Sequence, residues 1–186
     1  LILRPTSEEQ MHPSLITGLG ALSLVQVIQR LFGLIAQIKW PNDVLLRGRK
    51  VAGILVESVW LGEEIESITL GMGVNVHAAA VPPEEQLDFP ATSLEEALGK
   101  PPDRLVLLHD ILAALIEWRA HLGTGEFIQT WESSLAYRGE QVQVWIDKKA
   151  PVTGHLLGIE PDGSLRLRSP AGKPLTSRAP RANAPV

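Results

Sequence analysis

Lys39-Trp40-Pro41-Asn42-Asp43-Val44-Leu45-Leu46-Arg47-Gly48-Arg49-Lys50-Val51-Ala52-Gly53-Ile54-Leu55-Val56-Glu57 is the stretch whose reading decides the fold. It reads as a strand, a polar bend and a second strand. Pro41 has no backbone donor and pushes Trp40 toward extended geometry, so a strand through residues 38–40 stops there. Asn42 and Asp43 favour a bend. After a short apolar run, Arg47-Gly48-Arg49-Lys50 reads as a basic connection, and residues 51–56 return as a strand interrupted by Ala52 and Gly53. A glycine inside a strand has no side chain to pack, which marks a place where a ligand or another backbone comes close. The hairpin thus presents an acid, a cluster of cations and bare backbone together. Such a cluster suits an acidic small molecule, because a cation beside a partly dry cleft stabilises phosphate or carboxylate charge better than one in bulk water. Asp43 is a candidate metal ligand in the same place. From chemistry alone the plainer reading is favoured, with the cations as a solvated turn and Asp43 as a turn former.

Working outward, Gly62-Glu63-Glu64 predicts a turn and residues 65–77 a long strand. Within it Gly71, Gly73 and Asn75 alternate, so a period of two places all three on one face. Two bare positions followed by an amide can form a floor for a flat group, with Asn75 donating and accepting at one end. As a dinucleotide fingerprint the run is poor, because no helix opens after the glycines. Glycines relieving crowding in a twisted strand are the plain alternative.

Upstream, residues 5–13 are polar and punctuated by prolines and read as a loop. Pro13 suits the first turn of a helix. Residues 14–32 are apolar on more than one face, as in a helix buried on most sides, and Gly33 ends it. Downstream, residues 78–91 contain three prolines and predict a surface loop, and Ser93-Leu94-Glu95-Glu96 has capping-box spacing. Asp103 caps a longer helix on which Leu105, Leu108, Leu112, Leu115 and Leu122 recur at three and four, with Arg104, Asp110, Glu117 and Arg119 on the polar face. Residues 126–137 predict another helix with Phe127, Trp131 and Leu135 inward. His77, His109 and His121 lack metal-ligand spacing and read as surface or packed histidines. From Arg138 the chain changes to short alternating strands over 142–146, 152–159 and 165–168, with Asp147-Lys148-Lys149 as one connection and Pro161-Asp162-Gly163 as a turn. Residues 178–186, rich in Ala, Pro and Arg, read as a frayed tail.

The words KWPND at Lys39–Asp43 and KVAGIL at Lys50–Leu55 resemble the central motif of biotin protein ligases, and Leu70-Gly71-Met72-Gly73-Val74-Asn75-Val76 is similar to that family's later G-x-G-x-N strand. The resemblance covers nearly the whole chain. It implies an α+β fold with a mixed or antiparallel sheet covered by helices, of the class II aminoacyl-tRNA synthetase-like biotin/lipoate ligase kind, followed by a small SH3-like β-barrel. The implied domains are 1–136 (catalytic), 137–178 (SH3-like) and 179–186 (disordered tail). Because the family's Arg- and Gly-rich loop over biotin has no counterpart here, the catalytic domain is expected to lack its N-terminal part and this stretch alone to be inactive.

The activity implied is ATP-dependent formation of biotinyl-5′-adenylate and transfer of biotin to a lysine of a carrier protein. Lys50 and Asp43 are the implied catalytic residues. Lys50, Gly53, Leu55, Gly71, Gly73 and Asn75 are the implied contacts to biotin and its adenylate. Asn42 is expected chiefly to brace the bend, Arg49 to touch phosphate if it touches anything, and Asp43 to bind Mg²⁺ or orient the acceptor lysine. ATP with Mg²⁺ and biotin are substrates, and no tightly bound cofactor is expected. The expected partner is a biotin carboxyl-carrier domain, with homodimerisation or carrier docking through the strand at 51–59, and DNA only through a further N-terminal domain. The alternatives are a lipoate–protein ligase and a non-catalytic biotin-sensing module.

Composition sets outer bounds. The 186 residues, 45% hydrophobic and 20% charged, suffice for a core plus a small appendage. A net charge of −4 argues against a general nucleic-acid binder, and the lack of cysteine removes disulfides, thiol catalysis and cysteine metal sites while fitting a cytoplasmic protein. No apolar run reads as membrane-spanning, and no signal peptide opens the chain.

Overall fold

Residues 5–13, expected to be a loop, instead hold a short helix, α1 (Ser7–Met11), which follows a two-residue strand, β1 (Ile2–Leu3), in the computed structural model, which describes residues 1–145 and 151–177. The missed signal is Thr6-x-x-Glu9. The Thr6 hydroxyl accepts from the Glu9 backbone N–H at 3.3 Å and the Glu9 carboxylate accepts from the Thr6 N–H at 2.7 Å, a reciprocal capping box. Glu9 is buried, and the Arg119 guanidinium grips it through two bonds of 2.7 and 2.9 Å while also donating to the Arg4 carbonyl. Those Arg119 bonds, outweighing burial and helped by the Thr6 N–H, hold the Glu9 carboxyl below its ordinary value. Arg119, expected on a solvated face, therefore ties the far end of a distant helix to the start of the chain.

Helix α2 spans Ser14–Phe32 as expected and ends at Gly33, whose φ of 65° is the left-handed conformation that glycine adopts without strain. Its apolar residues on several sides meet several partners. It packs on strands β2 (Ala36–Lys39), β3 (Asp43–Leu46), β4 (Arg49–Leu61) and β5 (Glu64–Val74), and on helix α4 (Arg104–Arg119) behind α3 (Leu94–Leu98). Contrary to the expectation that no apolar run is long enough, α2 is long and apolar enough to cross a membrane, with a mean hydropathy of 1.5. Two-thirds of that window is buried inside the protein, so the same apolarity serves the core.

The sheet order is β1-β5-β4-β3-β2 with every pair antiparallel. The central motif is thus three strands, not two. Residues 43–46, read as an apolar run between bend and turn, form β3, buried at every position and so without the alternation that marks a strand. The β3–β4 turn is the pair Arg47-Gly48 with φ of 50° and 74°, the positive values a two-residue hairpin requires. Arg49 and Lys50 consequently belong to β4 and not to the connection.

Asp103 caps α4 through the Leu105 and Val106 N–H groups, as its position suggested. The inward face differs from expectation. Leu107, Ile111, Ala114 and Leu115 are buried, while Leu105, Leu108 and Leu112 are exposed. The helix carries two overlapping apolar stripes, and spacing alone could not say which one meets α2. After α5 (Gly125–Ser133) comes a second antiparallel sheet of β6 (Gln141–Val144), β7 (Val152–Ile159), β8 (Leu165–Arg168) and β9 (Pro174–Ser177), in that order. Strand β9 was not expected, whereas Ile146, the Asp147-Lys148-Lys149 connection and residues 178–186 lie outside the described residues. Leu156, Ile159, Leu165 and Leu167 join the same apolar cluster as α2. Glu132 fastens α5 to the second sheet by accepting from Arg138 (2.6 Å), Arg166 (3.1 Å) and the Ile159 N–H (3.2 Å).

Glu9→Gln should lower stability near neutrality by about 1.5–3 kcal/mol, the range for a hydrogen bond to a charged group. Because the folded-state carboxyl titrates below its ordinary value of 4.5, this contribution is complete above that pH and is lost as the pH falls further. Urea melts should therefore separate native protein and variant near neutrality and bring them together in acid.

Candidate active site

Lys50 and Gly53 are three residues apart, and in a regular strand their side chains would point to opposite faces of the sheet. Here β3 pairs through Asp43↔Gly53 and Val44↔Ala52 and then jumps to Leu45↔Lys50, leaving Val51 as the extra residue of a β-bulge. The bulge turns Lys50 onto the face shared by Asp43 and Gly53. Its ammonium lies 2.5 Å from Asp43 Oδ1, and the ammonium of Lys39, from the end of β2, lies 3.2 Å from Asp43 Oδ2. A Cβ on Gly53 would sit 3.4 Å from both Cε and Nζ of Lys50 and 3.8 Å from Asp43 Oδ1. A Cβ there would only touch the lysine, but the methyl groups of a larger side chain would reach the space the lysine occupies.

The bare area continues into β5. Gly53 is opposite Gly73 and Leu55 opposite Gly71. A Cβ on Gly73 would meet nothing nearer than the Gly53 carbonyl at 3.9 Å, and one on Gly71 would be 3.8 Å from the Leu55 Cβ. Leu55 is 58% exposed, so an apolar side chain stands at the edge of a floor without side chains. The other face at the same positions, Ala52, Ile54 and Leu70, is sealed in the core.

The remaining residues singled out by sequence are structural in their visible bonds. Asn42 spans the bend: its side-chain N–H donates to the Ile54 carbonyl at 2.9 Å, and its carbonyl accepts from the Ile54 N–H at 2.8 Å. Asn75 lies just past β5. Its side-chain N–H donates to the Thr92 carbonyl at 3.1 Å, and its backbone joins Val51 and Leu94. With the Lys50 N–H donating to the Pro90 carbonyl and the Thr92 N–H to the Lys50 carbonyl, this closes the base of the 78–91 loop beside the bulge. Arg47 is exposed in its turn, and Arg49 is held by Glu96 at 2.6 Å. The Thr92 hydroxyl and then Arg49 keep the Glu96 carboxyl below its ordinary value.

Sequence reasoning missed Lys39 and Phe89. Lys39 stands four residues before Asp43, a spacing that suggests contact in a helix, but here the Pro41 bend brings the two together across neighbouring strands. The Trp40–Pro41 bond in that bend is cis. Phe89 comes from the loop to lie under the Lys39 ammonium, 4.9 Å from ring centre to nitrogen.

The local charge is two ammonium groups against one carboxylate, beside open backbone, which is an anion-binding arrangement. Among the described residues no group of three or more His, Asp or Glu could hold a metal ion, and both Asp43 oxygens already face ammonium groups. Gly53→Val should fold, because what it displaces is the end of a flexible side chain, and should cost about 1 kcal/mol or less for the half-exposed pair. The check is nitrogen-15 NMR of the Lys50 ammonium, whose Asp43 contact should disappear while the backbone spectrum elsewhere is kept.

Residues 2–75 match the biotin/lipoate A/B protein ligase family. The chain is 34% identical over 175 residues to the bifunctional ligase/repressor BirA of Bacillus subtilis, covering 92% of this chain and 53% of that protein. It is 34% identical over 184 residues to the biotin–[acetyl-CoA-carboxylase] ligase of Paracoccus denitrificans, covering 93% and 74%. The solved biotin protein ligase of Aquifex aeolicus in its apo form superposes with a TM-score of 0.80 at 28% identity, over 95% of this chain and 77% of that one. The same enzyme in complex with biotin and ATP superposes with a TM-score of 0.78, over 95% and 73%. The chain spans about half the length of the BirA relatives it matches. By these likenesses, over an α+β framework of antiparallel sheets and helices, the chain belongs to the biotin protein ligase family.

Proposed function

We propose that the protein carrying this chain performs ATP-dependent biotin–protein ligation, on the single observation that the Lys50 ammonium is held on Asp43 above the bare Gly53–Gly73 floor. Biotin is a fused bicycle, polar at its ureido edge and apolar at its sulfur-containing ring, with an alkyl chain that ends in a carboxylate. The glycine floor with Leu55 at its edge takes the ring, and the lysines take the carboxylate and the nucleotide phosphate. A carboxylate oxygen attacks the α-phosphorus of ATP, the bond to the bridging oxygen breaks and pyrophosphate leaves, giving biotinyl-5′-adenylate. A carrier lysine amine then attacks the acyl carbon, AMP leaves, and the amine loses a proton as the amide forms. The barrier in the first step is the approach of two anions, which Lys50 lowers by standing between them. Asp43, engaged by two ammonium groups, acts as the orienter of Lys50 and Lys39 and not as a magnesium ligand; Mg²⁺ arrives with the ATP phosphates. Asn75 and Asn42 hold the strand ends that frame the floor.

The finer architecture belongs to the same reading. Residues 1–136 form the catalytic unit of class II synthetase-like type and residues 137–178 an SH3-like barrel. The protein works in the cytoplasm on a biotin carboxyl-carrier domain. Beyond Ile54 the outer edge of β4 pairs with no strand among the described residues, and Val59, Trp60 and Leu61 are exposed at its tip, a surface suited to strand addition by a second copy or the carrier.

Mass spectrometry of a biotin carrier domain, incubated with biotin, MgATP and the protein that carries this chain, should show a biotin-sized gain. Lys50→Ala should reduce its rate at least about a hundredfold, the scale for removing one transition-state donor. A folded protein that gives no gain would sink the reading, and a lipoyl-sized gain would replace it with lipoate transfer.

A further inference from the structure

Two bonds reach the central motif from the C-terminal part of the molecule. The Trp40 indole N–H donates to the Gly163 carbonyl at 3.0 Å. Two residues earlier, the Ile38 N–H donates to the Ser134 carbonyl at 2.7 Å and its carbonyl accepts from Ala136 at 2.9 Å. Lys39, which contacts Asp43, is therefore flanked by residues tied to the segment leading into the second sheet and to the turn between β7 and β8.

That turn is built to hold its carbonyl still. The Glu160 N–H donates to the Ser164 carbonyl at 2.8 Å and the Gly163 N–H to the Glu160 carbonyl at 2.9 Å, and Ser164 donates to the Asp162 carboxylate from both backbone and hydroxyl. The turn is also pressed onto the catalytic unit. The Ser14 hydroxyl donates to the Asp162 carbonyl at 2.6 Å, and a Cβ on Gly163 would meet Leu15 at 3.2 Å and Trp131 at 3.5 Å. Gly163 has a φ of 81°, so glycine meets both the backbone and the space requirement there. On the other side of Trp40 follow Pro41, Asn42 with its two bonds to Ile54, and Asp43.

We propose that Trp40 is a positioning residue through which the Pro161–Ser164 turn of the second sheet sets the placement of Lys39 and Asp43 beneath the reacting anions. This rests on the ligase reading for its kinetic consequence but not for its mechanical one. The indole N–H, and not the ring's bulk alone, transmits the constraint, because a hydrogen bond fixes direction where an apolar contact permits sliding.

The test compares Trp40→Phe, which keeps an aromatic ring and loses the donor, with Ser14→Ala, which removes one docking bond of the second sheet and leaves both the turn's internal bonds and the Trp40–Gly163 bond in place. Amide hydrogen exchange reads the mechanical part in the ligand-free protein. The Ile54 amide, bonded to the Asn42 carbonyl, should exchange about tenfold faster in Trp40→Phe, the effect of one ordinary hydrogen bond, and at the native rate in Ser14→Ala. Turnover reads the functional part: Trp40→Phe should lower kcat for biotin transfer about tenfold with KM for biotin within about twofold, since the glycine floor is untouched, and Ser14→Ala should match the native protein. Native exchange at Ile54 in Trp40→Phe would overturn the proposal. So would parallel losses of kcat and thermal stability in both variants, the mark of simple docking. A native protein that folds but transfers no biotin would count against the ligase reading alone, and the exchange result would still decide the role of Trp40.

Discussion

The contact between Lys50 and Asp43 is the constraint around which the rest of the molecule is arranged. A carboxylate on a side chain only 12% exposed is costly unless its charge is met, and each of its two oxygens here has an ammonium partner. Meeting it from two sides requires three strands in one register. Asp43 comes from β3, Lys39 from β2 across a tight bend, and Lys50 from β4 through a bulge that reverses its facing. A slip of one residue in either hairpin would send one of the three side chains into the core. That accounts for β3: four residues long, buried at each position, with Val44 and Leu46 in the cluster beneath α2, it has no freedom to slide.

The second sheet is held by comparably directional devices. Its apolar residues merge with the first core, and merging alone would allow sliding, but Glu132 collects three donors from the junction and Gly163 inserts where a side chain would collide. Gly18 does the same between α2 and α5, since a Cβ there would lie 2.3 Å from the Trp131 ring. Large rings set against absent side chains give an interface whose shape fixes its register, as close packing requires.

What the sequence disclosed and what it concealed divide along physical lines. Helix α2, the capping roles of Asp103 and Ser93, the stop at Pro41 and the turn at Gly62 were legible because each depends on local chemistry that residue type declares. Strand β3 was concealed because burial on both sides erases alternation. The inward face of α4 was concealed because Leu105, Leu108 and Leu112 make as good a stripe as Leu107, Ile111 and Leu115, and the choice is made by α2 from a distance. The bulge at Val51 leaves no mark in composition, so Lys50 could be picked as a site residue from the motif it sits in, while the reason it faces Asp43 could not. Lys39 was overlooked for the same kind of reason: its partner is reached through the bend, not along a strand. Asn75, named as a ligand contact, and Arg49, named as a possible one, also bond Thr92 and Glu96, partners that the spacing of the sequence does not announce.

The exposure of the two lysines decides what the cluster can do. Had both been sealed with Asp43, removing either would leave a buried charge uncompensated, at a cost of several kcal/mol, and an incoming anion could not compete for them. Their side chains instead remain 33% and 38% exposed. Ion pairs of that accessibility contribute about 0–1 kcal/mol each. An anion arriving over the Gly53–Gly73 floor can therefore share or take an ammonium at small cost, while Asp43 keeps the other and holds the bend in place. The arrangement is rigid in its backbone, through the bulge, the Asn42 brace and the Trp40 tether, and compliant at its two charged ends. An anion-binding site needs both properties, and here they reside in different atoms of the same residues.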